Sequence, residues 1–145
     1  MTPNNLLDLN VLIALAESGH EHYNKAQDWF NSSRKGKWGV CPLTEAGFVR
    51  VTTNPAYRPG PRSMQQAIAI LEALKGLPSY WYCGIEDSWV TLTAPFASRI
   101  FGHQQVTDAY LLGLAIKEHA VLVTFDKGIQ YMAGAEFSQS VLVLE

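Results

Sequence analysis

The chain has 145 residues, 48% of them hydrophobic and only 17% charged, which excludes a disordered tail and suffices for one domain with a buried core. Eleven Lys and Arg against thirteen Asp and Glu give a formal charge of -2. That excludes binding nucleic acid through bulk positive charge, but leaves room for a local basic strip or a bound cation.

Leu6–Leu9 reads as a short strand buried on both faces, as in parallel sheets. Val11–Ala16 reads as a helix, and His22–Arg34 as a second one with Tyr23, Ala26, Trp29 and Phe30 on one face. Arg34–Lys37 is a basic turn, Trp38–Val40 a second strand, and Pro42–Val51 a helix with its proline near the start. The prolines and glycine between Asn54 and Arg62 enforce a loop. Ser63 then suits the N-cap of a helix whose apolar stripe is Met64, Ala67, Ile68, Leu71 and Leu74. Tyr80–Tyr82 reads as a strand, and 88–101 as short helical turns around Pro95. Thr107–Glu118, with Thr107 as N-cap, is apolar nearly all round, as suits a helix lying between a sheet and other helices. Val121–Thr124 and Val141–Leu144 are the last strands. The alternation predicts an α/β/α sandwich on a central, mostly parallel sheet, a single domain spanning residues 1–145.

The longest apolar run, Val11–Ala16, is far short of the roughly 20 residues a membrane span needs. Met1–Asn5 carries no basic residue, unlike a signal or transit peptide, and Cys41 and Cys83 lack metal-ligand spacing. The expectation is a cytoplasmic protein with two free thiols.

Four acids stand at the ends of elements: Asp8 after the first strand, Glu45 and Asp108 at helix starts, and Asp126 two residues beyond Thr124. In an open α/β sheet the ends of separate strands meet at one crevice, so these acids can converge. Three or four carboxylates without His or Cys suit a hard cation such as Mg²⁺ or Mn²⁺, and do not suit Zn²⁺. Each acid also has a plainer explanation. Glu45 and Asp108 suit the positive end of a helix, Asp8 could cap the helix that follows, and Asp126 could be a turn residue. Arg50 and His103 are candidate substrate-phosphate contacts, against the alternative of solvated side chains.

Leu7-Asp8-Leu9-Asn10-Val11-Leu12-Ile13-Ala14-Leu15 resembles the opening motif of PIN-domain nucleases. Cys41-Pro42-Leu43-Thr44-Glu45-Ala46-Gly47-Phe48, Gln105-Val106-Thr107-Asp108-Ala109-Tyr110 and Val123-Thr124-Phe125-Asp126-Lys127-Gly128 resemble the three that follow. Their order and spacing resemble the VapC toxin branch of bacterial toxin-antitoxin systems, over nearly the whole chain. The resemblance implies a PIN fold and a Mg²⁺- or Mn²⁺-dependent endoribonuclease that hydrolyses RNA with a metal-activated water. It implies Asp8 and Asp108 as main metal ligands, with Glu45 and Asp126 holding a second ion or acting through water. Asn10 and Thr124 match polar positions lining the family's site. A VapB-like antitoxin and a homodimer are implied as assemblies, with Trp29, Phe30 and Trp38 as candidate contact residues that are also candidate core. Two other readings remain: a catalytically idle RNA- or protein-binding module, and a receiver domain, which lacks the Asp it needs between Trp38 and Glu45.

Setting the four acids aside leaves nine against eleven basic residues, so the rest of the molecule is mildly basic. Arg34, Lys35, Lys37, Arg58 and Arg62 lie in loops where they could meet a phosphate backbone.

Overall fold

Four short strands form one all-parallel sheet in the computed structural model, which describes residues 2–145. They are β1 (Asn5–Leu7), β2 (Trp38–Gly39), β3 (Val121–Thr124) and β4 (Val141–Val143), in the order β2-β1-β3-β4. In register, Leu6 pairs with Gly39 on one side and Leu122 on the other, and Thr124 pairs with Val143. The helices are α1 (Leu9–Ala16), α2 (Tyr23–Asp28), α3 (Pro42–Thr52), α4 (Met64–Lys75), α5 (Trp89–Thr93), α6 (Val106–Lys117) and α7 (Lys127–Ala133).

Alternation along β1 and β3 divides the core into two layers. Leu7 and Val123 pack with Val11, Leu12, Phe30, Trp38 and Phe48 beneath α1–α4. Leu6 and Leu122 pack with Phe96, Leu111, Leu112, Ile129 and Met132 beneath α5–α7. Both faces of the sheet are therefore covered, as a continuous apolar strand requires. In α6 Gly113 permits the closest helix approach, since a Cβ there would lie 2.5 Å from the Leu92 carbonyl oxygen. Cys41 and Cys83 are buried free thiols, and burial pushes the Cys83 thiol up to about 12, with Cys41 adding to the rise. No helix among the described residues is long and apolar enough to cross a membrane.

Several local expectations are corrected. Tyr80–Tyr82 is not a strand: Tyr80 makes a single bridge to Trp38, and Trp81 N donates to Trp38 O at 2.7 Å before the chain turns away. The buried stripe of α4 is Ala67, Ile70, Leu71 and Leu74, whereas Met64 and Ile68 are exposed. Both sets satisfy the i, i+3, i+4, i+7 spacing, and packing on the neighbouring helices selects the observed one. The helix expected over His22–Arg34 is α2 followed by a wide π turn, Trp29–Ser33. Helix α6 starts at Val106 after a 3-10 turn, His103–Gln105, so Gln105 rather than Thr107 occupies the cap position. Trp29, Phe30 and Trp38 are buried, which places them in the core and not on a partner surface.

Candidate functional site

The parallel order sets the carboxyl ends of β1 and β3 side by side in the middle of the sheet, where a crevice forms. Asp8 follows β1 directly and is 6% exposed. It both ends the strand and caps α1: Oδ1 accepts from Leu9 N at 2.7 Å. Its Oδ2 accepts from Thr124 Oγ1 at 2.7 Å.

Thr124 is the hub of this arrangement. It is fully buried at the end of β3, and its hydroxyl donates to Asp8 while accepting from Asp126 N at 3.0 Å and, more weakly, from the Asn10 amide at 3.4 Å. One donor and two acceptor positions are all a hydroxyl has, so its orientation is determined. The Asn10 carbonyl oxygen in turn accepts from Phe125 N at 3.3 Å. Asp126 caps α7 by accepting from Gly128 N at 2.8 Å. The plainer capping explanation for Asp8 is thus correct, and Asp126, which read plainly as a turn residue, is also a helix cap. Capping fixes each carboxylate at its helix start, and every carboxylate oxygen keeps a further lone pair free.

Asp108 arrives from the first turn of α6. Burial first, and then the charges of Asp8 and Asp126, together push its carboxyl up from the ordinary 3.8 to about 7. Burial also raises Asp8, against the hydrogen bonds from Thr124 and Leu9, which favour its charged form; Asp126 adds to the rise. The three acids therefore share one electrostatic neighbourhood.

Glu45 is engaged by a lysine. It lies in the first turn of α3 and faces Lys75 at the end of α4, with Nζ 2.7 Å from Oε2. The contact is an ion pair by distance, although its angles are poor for a hydrogen bond and the buried Oε2 has no other hydrogen-bond partner among the described residues. The Lys75 ammonium also lies 5.8 Å from the centre of the Tyr80 ring. The pair with Glu45 raises Lys75 above its ordinary value, so its charge is secure. The charges acting on Asp8 and Asp108 do not include that of Glu45. Sequence reasoning missed Lys75, because nothing local links two residues that only the packing of α3 on α4 brings together.

The other candidates are not drawn in. Arg50 is exposed in the last turn of α3, five residues and about 7.5 Å of helix rise beyond Glu45. His103 is exposed in the turn before α6. Arg62 is tied to Glu17, and Arg34 to the carbonyls of Phe30 and Gly36. Lys35 and Lys37 precede β2, at the opposite end of the sheet from the acids.

The donor chemistry fits a hard divalent cation. Asp8, Asp108 and Asp126 supply only oxygens, and each negative charge makes the next harder to ionise until a cation balances them. Among the described residues no three Asp, Glu, His or Cys side chains are placed close enough together to hold a metal ion as they stand.

A family model described as PIN domain matches residues 6–135. Ribonuclease VapC38 of Mycobacterium tuberculosis is 41% identical over 128 residues, 88% of this chain and 89% of that protein. The structure of VapBC2 from Rickettsia felis, bound to a DNA fragment from its promoter, aligns with a TM-score of 0.67 at 11% identity, covering 98% of this chain and 99% of that one. A toxin-antitoxin complex from Klebsiella pneumoniae aligns with a TM-score of 0.62 at 15% identity, covering 96% of each chain. At these identities the two structures testify to a shared fold.

Proposed function

Because this chain belongs to the PIN-domain family, in its VapC ribonuclease branch, we propose that it is a Mg²⁺- or Mn²⁺-dependent endoribonuclease, the toxin of a toxin-antitoxin pair, working through Asp8, Asp108 and Asp126. The observation that carries the reading is the mutual electrostatic pressure of these three acids, Asp8 and Asp126 beyond the carboxyl ends of adjacent strands and Asp108 at the start of α6. Such a group is unfavourable for an idle surface and useful where a cation must be held against a phosphate. A bound Mg²⁺ or Mn²⁺ would supply positive charge for the phosphoryl oxygens and acidity for a water.

The chain's own groups do the positioning. Thr124 holds Asp8 and the Asp126 backbone in one frame, and Asn10 ties that frame to Phe125. Asp108 completes the group from α6. Glu45, its charge already matched by Lys75, acts at the edge of the site through water. Water as nucleophile leaves 5′-phosphate and 3′-hydroxyl ends. An antitoxin partner is supported by the toxin-antitoxin complex among the structures of the same fold.

Cleavage of RNA by the purified chain in Mn²⁺ or Mg²⁺ tests the reading. Wild type is expected to cut only with metal, and folded Asp8→Asn not to cut. Cutting in excess chelator, or by the variant, would overturn it. Metal-dependent RNA binding without any cleavage would favour the idle module instead.

A further inference from the structure

The acid site has a neighbour that the metal chemistry does not use. At the carboxyl ends of β3 and β4 lies a pocket of about 410 Å³ lined by His22, Lys25, Phe125, Lys127, Leu144 and Glu145. Its size falls in the range of small-ligand sites, roughly 300–1,000 Å³. Phe125 and Lys127 are the chain neighbours of Asp126 on either side, and Phe125 N is held by Asn10, although none of the three acids lines the pocket itself. The His22 imidazole stacks on the Phe125 ring, with centroids 4.7 Å apart and planes 27° from parallel. This stack is anchored at both ends. His22 N donates to His20 Nδ1 at 3.0 Å, and Phe125 N donates to Asn10 within the site itself.

Two lysines complete the pocket. Lys25 comes from α2, and Lys127 opens α7. The Lys127 ammonium lies 3.8 Å from a Glu145 carboxylate oxygen, but both side chains are about three-quarters exposed, so that pair is weak and readily exchanged. These cations stand at the acid end of the sheet, whereas Lys35 and Lys37 stand at the other.

Stacked rings beside cations are what a single-stranded nucleic acid needs, because every base has a face to stack and every phosphate a charge to match. A base inside a duplex has both faces covered. We propose that this pocket binds an unpaired nucleotide of the RNA next to the scissile bond, with its base against the His22–Phe125 stack and its phosphates on Lys25 and Lys127. The proposal rests on the ribonuclease reading of the acid site, and adds the direction in which the strand leaves it.

The test uses the cleavage-deficient Asp8→Asn chain in Mn²⁺ and a labelled single-stranded oligoribonucleotide, with binding read by fluorescence anisotropy over a salt series. Adding Lys25→Ala and Lys127→Ala together lowers the slope of log affinity against log salt by about 1.4, since each phosphate contact in a single strand contributes about 0.7. Adding His22→Ala weakens binding at least about fivefold. The same sequence as a duplex binds more weakly than the single strand. Lys117→Ala, whose ammonium is engaged with Glu86 and Asp87, is the control and leaves the slope as it was. A slope unchanged by the lysine pair, or a duplex held as tightly as the single strand, overturns the subsite. Failure of the wild-type protein to cut RNA in Mn²⁺ overturns the ribonuclease reading on which it rests.

Discussion

Replacing Asp108 by asparagine is expected to destroy cleavage and, in the absence of metal, to stabilise the fold. Burial and the charges of Asp8 and Asp126 raise the Asp108 carboxyl from 3.8 to about 7. A group with a raised folded-state value binds more protons in the native than in the unfolded chain. Its stability contribution is therefore intact at pH 4 and is lost as pH rises towards 7. Fully converted, the rise corresponds to about 4 kcal/mol. Asp108 is only half-buried, however, and screening by solvent reduces this to about 1–2 kcal/mol. Asparagine keeps the shape and removes the charge. Thermal melts in chelator should thus give Asp108→Asn an advantage of about 3–6 °C at pH 8 that vanishes near pH 4. Added Mn²⁺ should raise the melting temperature of wild type and leave the variant nearly unmoved. An advantage of equal size at both pH values, or none at pH 8, would refute the electrostatic account.

Thr124→Val removes the donor to Asp8 and the acceptor for Asp126 N, and is expected to cost about 1–3 kcal/mol in denaturant titrations together with most of the activity. A variant as stable as wild type would show that the hub is not needed. Lys75→Met leaves Glu45 without its counter-charge and should lower stability by about 1 kcal/mol, whereas Lys75→Arg should keep most of it. Equal losses in the two variants would point to packing instead of charge. Gly113→Ala improves helix propensity but places a Cβ 2.5 Å from the Leu92 carbonyl, so the melting temperature should fall by the equivalent of about 1–3 kcal/mol. A rise would mean that α5 gives way freely.

The acids were readable in the sequence because each sits where a strong local pattern changes. An acid amid Leu6, Leu7, Leu9 and Val11 cannot be an ordinary strand residue, and Asp126 comes just past a run as plain as Val121–Thr124. Asn10 and Thr124 entered only through the resemblance, because their bonds to Phe125 N and Asp8 span the sheet and could not be read locally. Periodicity identified α4 as a helix and placed Ala67, Leu71 and Leu74 on its core side, but took Met64 and Ile68 in place of Ile70, because both choices fit a stripe until α3 is in place. Tyr80–Tyr82 has the composition of a strand, yet the two-residue β2 offers it only one bridge. Tertiary pairing alone set Lys75 on Glu45, and tertiary stacking alone set His22 on Phe125.

The central claim is that Asp8, Asp108 and Asp126 together hold the metal. Crystals grown with Mn²⁺ and measured at the manganese absorption edge test it most directly. The account predicts an anomalous peak within ligand distance of Asp8 and Asp108, with Asp126 beside it directly or through water. A peak elsewhere, or none at saturating Mn²⁺, would contradict it.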